Sequence, residues 1–257
     1  MAGLRTGSML VTGANRGIGL ELVKKILATP RPPAWVFGAC RDTEGPRAQE
    51  LKALASEHSN LVVLQLDVTN RSSIYDALKK VESKLEGSGL NVVVNNAGVV
   101  SRATLEDSTN ADMKHVYDNN VIGPLLVSQA FHPLLKKAAQ ECPTAAMTCS
   151  KAALINISSS LGSIAQVPDL FETHKLIPYR ISKAALNMLT RCQAEAYKKE
   201  GILCVSINPG WVKTDMGGME APLTKDTSVR GIMQVLSSLT EKDAGTMLDW
   251  DGTTLPW

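Results

Sequence analysis

Met9-Leu10-Val11-Thr12-Gly13-Ala14-Asn15-Arg16-Gly17-Ile18-Gly19-Leu20 is the stretch on which the reading of this chain turns. A short apolar run enters a glycine-rich turn and leaves it in a helical pattern over 19–28. Glycines let main chain approach a pyrophosphate closely, and a helix N-terminus offers free N–H groups and the positive end of its dipole. The spacing G-x-x-x-G-x-G differs from the common G-x-G-x-x-G fingerprint, and taken alone the turn also reads as a tight turn without a ligand. Its place on the first strand of an α/β pattern favours phosphate binding.

Outward from that turn, short apolar runs alternate with longer amphipathic segments along the chain. Strands are expected over 9–11, 35–39, 61–66, 90–94, 153–157, 203–207 and 246–248, and helices over 19–28, 47–57, 73–85, 111–139, 179–199 and 228–239. The strands are unbroken in hydrophobicity, as strands covered on both faces should be. Parallel neighbours need crossover connections, which the helices supply. The expectation is one doubly wound Rossmann-type α/β domain over residues 1–257, with a seven-stranded, mainly parallel sheet and helices on both faces. Polar residues over 140–151 read as a surface loop, and no internal repeat is visible.

Composition narrows the partners. Across 257 residues, 27 basic side chains face 25 acidic ones without a block of like charge, so no nucleic acid or anionic membrane surface is expected as partner. No apolar run approaches the roughly 18 residues of a membrane span. The five cysteines are scattered without a Cys-x-x-Cys pair and the four histidines lack ligand spacing, so the thiols read as reduced and no metal is expected. Too few residues precede the first strand for a signal peptide, which makes the cytoplasm the expected address.

After the second strand, an acid suits the ribose 2′-hydroxyl of NAD, whereas an arginine suits the 2′-phosphate of NADP. The chain reads Ala39-Cys40-Arg41-Asp42 there. Arg41, with Arg16 inside the turn, favours NADP(H), while Asp42 keeps the other choice open.

Tyr179-Arg180-Ile181-Ser182-Lys183 places a phenol and an ammonium at i and i+4, on one helical face. A cation beside the phenol is expected to lower its pKa from about 10 and make it a usable acid or base. Tyr75-Asp76-Ala77-Leu78-Lys79 carries the same spacing but no hydroxyl cluster leads towards it, and it reads as an ordinary amphipathic helix. Tyr179 differs because Ile155-Asn156-Ile157-Ser158-Ser159-Ser160 precedes it at the carboxyl end of a strand, where open α/β sheets bind ligands.

Together with Asn95-Asn96-Ala97-Gly98, Asn120-Val121-Ile122-Gly123 and Pro209-Gly210-Trp211-Val212-Lys213-Thr214, these motifs make the chain resemble the short-chain dehydrogenases/reductases over essentially its whole length. Residues 209–218 and 249–257 look most like the sniffer-type carbonyl reductases within that family. The resemblance implies Tyr179 as general acid, Lys183 as holder of the nicotinamide ribose, Ser159 as the hydroxyl on the substrate oxygen, and Asn120 as positioning a relay water. It also implies that the cofactor meets Gly13, Asn15, Arg16, Gly17, Ile18 and Arg41, that Asp67 and Val68 border the adenine, and that Asn96, Ala97 and Gly98 pass the ribose. Pro209, Gly210, Val212 and Thr214 would line the carboxamide. The stretch from Ser159 to Tyr179 is longer than the family's usual length, and 169–175 is expected to form a flap beside the substrate.

The expected activity is NADPH-dependent reduction of an aldehyde or ketone, with a small-molecule carbonyl compound as partner. The segments 99–103, 161–178 and 211–223 bring apolar and methionine side chains to the expected rim, which suits apolar or aromatic carbonyls. Two alternatives stand beside it. One is a dinucleotide-binding redox sensor without turnover, which would be expected to have lost the tyrosine or lysine. The other is an alcohol or steroid dehydrogenase working oxidatively. A homodimer is left open.

Overall fold

Nearly every strand is followed by a helix that crosses back over the sheet. The computed structural model describes residues 4–142 and 146–257, so residues 143–145 of the expected loop lie outside the described residues. In chain order the elements are β1 (Ser8–Thr12), α1 (Gly17–Leu27), β2 (Trp35–Cys40), α2 (Gln49–Glu57), β3 (Leu61–Gln65), α3 (Arg71–Leu85) and β4 (Val92–Asn95). Then come α4 (Asn110–Tyr117), α5 (Gly123–Glu141), β5 (Ala153–Ile157), the short α6 (Val167–Leu170) and α7 (Ile177–Tyr197). The chain closes with β6 (Leu203–Asn208), α8 (Lys225–Ser238), β7 (Met247–Asp249) and β8 (Thr254–Leu255).

The sheet runs β3-β2-β1-β4-β5-β6-β7-β8. Seven strands are parallel and β8 pairs antiparallel with β7, through Met247 opposite Leu255 and Leu248 opposite Thr254. The Rossmann-type architecture is therefore as expected, but the sheet has eight strands rather than seven. A two-residue strand carries no periodicity to read, and only pairing with β7 defines it.

Alternate residues of each strand enter opposite cores, which explains the unbroken apolar runs. Met9 and Val11 of β1 pack with Leu22, Val23 and Ile26 of α1 and Ile232 of α8, while Leu10 between them joins Ile74 and Val81 of α3 and Phe131 of α5. Burial of Leu10 and Phe37 is complete, and the two lie opposite each other in the β1–β2 register.

The helix expected over 111–139 is divided. A π-type turn at Asp118–Ile122 separates α4 from α5, and Pro124 sits in the first turn of α5. Such widened turns concentrate at functional sites. This one carries Asn119 and the fully buried Asn120.

Candidate active site

Strand order reverses between β1 and β4, so the connections after these strands leave towards opposite faces and open a crevice. Gly13 (φ +64°) and Gly17 (φ +58°) adopt a conformation that favours glycine. A Cβ on Gly13 would stand 2.9 Å from the Ala97 Cα, and one on Gly19 would stand 2.3 Å from the Gly13 carbonyl oxygen. Two side chains tie the turn to the loop after β4. Thr12 Oγ1 accepts from the Asn96 and Ala97 N–H groups at 3.0 and 3.1 Å, while Asn96 Nδ2 donates to the Thr12 and Gly13 carbonyls at 2.9 and 3.2 Å. Thr12 holds this junction although the sequence alone gave it no part; a hydroxyl on a buried strand end was the available signal. Arg16 caps α1 with extended backbone and no side-chain cap, leaving the helix N-terminus to face the crevice.

The crevice is a cavity of about 540 Å³. Of the expected residues, Gly13, Asn15, Arg16, Gly17 and Ile18 line it from the turn, and Arg41, Asp67 and Val68 from the ends of β2 and β3. Asn96, Ala97 and Gly98 follow from β4, Tyr179 and Lys183 from α7, and Pro209 and Thr214 from beyond β6. Four expected residues are not among the lining. Asn120 and Ser159 are both buried. Gly210 packs away from the cavity, where a Cβ would stand 2.5 Å from Leu223 Cδ1 and 2.9 Å from Trp250 Cδ1. Val212 is buried in a bridge to Leu223. Both support the wall that carries Thr214.

One end of the cavity is basic. Arg16 Nη1 pairs with Asp215 at 2.8 Å, with both side chains largely exposed. Arg41 is exposed and forms no ion pair among the described residues. Asp42, the residue that kept the NAD reading open, turns its carboxylate inward to its own loop, accepting from the Glu44 and Gly45 N–H groups at 3.0 and 2.9 Å. Arg47 and Lys225 add two cations that sequence reasoning missed, since only the folding of the 42–48 loop and of α8 brings them here.

Three strand spacings, roughly 14 Å, separate β2 from β5, whose end the reactive part of the cavity adjoins. There Lys183, 5% exposed, donates from Nζ to the Ile157 carbonyl at 2.8 Å, and lies 5.5 Å from the Tyr179 ring centroid. Burial pulls the lysine down to about 8. Burial also pushes the half-buried phenol of Tyr179 up to about 12, against a hydrogen bond with Ser159 that favours the phenolate. The expected lowering of the phenol pKa by the lysine is thus overturned in this structure, because desolvation outweighs the hydrogen bond.

The three serines differ in their neighbours, and Ser158 is the one among the residues lining the cavity. Ser158 donates to Asn187 Oδ1 at 2.6 Å, away from the phenol, and Ser160 begins a short helical turn. Ser159 accepts from the Leu161 N–H at 3.1 Å and faces Tyr179. Asn120, fully buried, bonds both main-chain groups of Val99 and donates to Ser182 Oγ at 3.0 Å.

The family model for short chain dehydrogenases matches residues 8–222. The chain belongs to the short-chain dehydrogenase family. Two solved structures superpose on nearly all of it. An NADPH-bound carbonyl reductase from chicken fatty liver is 54% identical with a TM-score of 0.94, covering 99% of this chain and 100% of that one. The carbonyl reductase Sniffer of Drosophila melanogaster is 40% identical with a TM-score of 0.94, covering 98% and 100%. The C-signal protein of Myxococcus xanthus is 36% identical over 169 residues, 65% of this chain and 93% of that protein.

In this short-chain dehydrogenase the second Tyr-x-x-x-Lys spacing stays outside the site. Tyr75 is 43% exposed on α3, and Lys79 pairs with Asp76 at 3.7 Å. Among the described residues no cluster of potential ligands could hold a metal ion, and no helix is long and apolar enough to cross a membrane.

Proposed function

We propose that this protein is an NADPH-dependent carbonyl reductase for apolar or aromatic aldehydes and ketones, with residues 1–257 working as one unit. One observation carries the reading: a single cavity joins an arginine-rich end at Arg16, Arg41 and Arg47 to a reactive end at Tyr179 and Lys183. Two similar structures, one bound to NADPH, are of carbonyl reductases. A cytoplasmic setting with a small-molecule partner belongs to the same proposal.

The residues present fit a dinucleotide. The pyrophosphate would meet the turn where Cβ atoms would collide with the main chain, and the 2′-phosphate would meet Arg41, whose guanidinium has no ion-pair partner among the described residues. Bound NADPH would supply the hydride for the carbonyl carbon. Tyr179, with its phenol near 12, keeps its proton throughout the neutral range and donates it to the carbonyl oxygen. Ser159 gives that oxygen a second hydrogen bond. Lys183 carries its charge below about pH 8 and stabilises the phenolate left behind.

Met216 lines the cavity and is exposed, as are Trp211, Met219 and Ile164 of the two segments expected at the rim. Such a rim admits varied apolar shapes and offers little to a polyanion. Turnover of the purified protein against a carbonyl panel, following NADPH and NADH separately, is the test. Quinone and aromatic carbonyls should be reduced with NADPH; a phosphorylated sugar outperforming all of them, or no turnover at all, defeats the reading.

A further inference from the structure

Arg180 stands next to the reactive tyrosine and belongs to none of the roles above. Its side chain is 6% exposed. Buried arginines are usually paired with carboxylates. Here, among the described residues, its hydrogen bonds go to three main-chain carbonyls: Nε to His174 at 2.7 Å, Nη2 to Leu170 at 2.5 Å and Nη1 to Leu161 at 3.4 Å. Its guanidinium carbon also lies 5.8 Å from the Phe171 ring centroid.

All four contacts fall on one connection, residues 161–174. That connection leaves two residues after Ser159 and returns five before Tyr179, so both of its ends are anchored at reactive groups. It has little regular structure of its own beyond the one-turn α6. Its return is strained, since Leu176 holds φ +23° and ψ 54° just before α7. The rigid fork of one guanidinium therefore ties three points of the segment to α7, beside the bond from Asn187 Nδ2 to the Gly162 carbonyl at 3.4 Å. A lysine, with a single nitrogen, could not span three carbonyls facing different ways.

The held segment also meets the chain beyond β6, the stretch that brings Thr214 and Met216 to the cavity. The His174 ring meets Trp211 edge-on with centroids 4.8 Å apart, and Trp211 Nε1 donates to the Gly217 carbonyl at 2.7 Å. Burial, with Arg180 and Arg102 nearby, keeps the His174 pKa below its ordinary value. On the facing side, Arg102 Nη2 donates to the Met216 carbonyl at 3.4 Å. The position of His174, and through it of Trp211, thus follows from where Arg180 holds the chain.

We propose that Arg180 is the specificity-determining positioning residue of this site: it clamps segment 161–174 to the helix that carries Tyr179, and so fixes the wall against which large apolar carbonyl compounds bind. The proposal rests on the carbonyl-reductase reading for its substrate, though not for the clamp itself. Small carbonyls that touch only Tyr179 and Ser159 depend little on that wall. Multi-ring ones depend on it directly.

The test compares wild type with Arg180→Met and Arg180→Lys, using NADPH with a three-ring quinone and with a four-carbon diketone, alongside hydrogen–deuterium exchange of the intact chain. Loss of three charge-assisted bonds should raise KM for the quinone on the order of tenfold or more in Arg180→Met, and leave kcat/KM for the diketone within about threefold. Amides of 161–176 should exchange faster while those of β1 and β4 do not. Arg180→Lys should lie between, and it carries the same tests if the methionine variant does not fold. Equal loss on both substrates through kcat, or unchanged exchange over 161–176, overturns the clamp. A wild-type protein that reduces neither compound would defeat the carbonyl-reductase reading instead, and exchange would still decide the clamp.

Discussion

Asn120 and Val99 exchange two hydrogen bonds: Oδ1 accepts from the Val99 N–H and Nδ2 donates to the Val99 carbonyl, both at 2.9 Å. The side-chain amide behaves as a strand partner for the loop after β4, and the π-type turn aims it there. With Nδ2 also bonded to Ser182, both amide protons are used while Oδ1 holds one partner, and Asn120 is not among the residues that line the cavity.

Asn120→Asp should therefore lose stability as well as activity. A second carboxylate oxygen would face the Val99 carbonyl without a proton between them, costing about 2–4 kcal/mol. Denaturant unfolding measures this. A variant with native stability but little activity would return Asn120 to the relay role.

Tyr179→Phe should lower kcat on the order of 10²–10⁴-fold with the NADPH dissociation constant nearly unchanged, since it removes a proton donor and almost no contact area. Tyr75→Phe should leave both unchanged. Equal effects of the two substitutions would mean that the wrong tyrosine has been placed at the reactive end.

Lys183 is a buried ammonium with no carboxylate partner among the described residues, held by one carbonyl. Lys183→Met should abolish reduction while raising the melting temperature by a few degrees, because it removes a desolvated charge. In wild type the native pKa near 8 lies below the ordinary 10.5, so between those values the unfolded chain binds the additional proton. The lysine's contribution to stability accordingly rises with pH across that window, and the rate of reduction falls above about pH 8 as the charge is lost. A pH–rate profile flat to pH 10 would remove Lys183 from the proton chemistry.

Arg41→Ala should weaken NADPH by roughly ten- to a hundredfold and NADH only slightly, the worth of one charge-assisted contact to a phosphate. Added salt should narrow the same gap, because Arg41 and Arg47 are exposed. Titration of both cofactors against wild type and variant decides it; an unchanged ratio would make these arginines ordinary surface charges.

What the sequence determined by itself is local or periodic. Unbroken apolar runs announced strands with two covered faces, and alternate residues of β1 do enter separate cores. Gly13 and Gly17 could be read as a turn because the left-handed conformation they adopt selects glycine. The i, i+4 spacing put Tyr179 and Lys183 on one face, since helix geometry alone fixes that. The tertiary structure decided whatever depends on distant groups meeting. The Tyr179 phenol pKa rises because burial depends on which segments pack over it, whereas spacing showed only the nearby lysine. The Ser158 hydroxyl is taken by Asn187, 29 residues further on. β8 exists through β7, Asp42 is withdrawn by its own loop, and the three carbonyls on Arg180 converge only when segment 161–174 has folded back on α7. Each of these rests on hydrogen-bond and desolvation terms set by three-dimensional neighbours, which no one-dimensional period encodes.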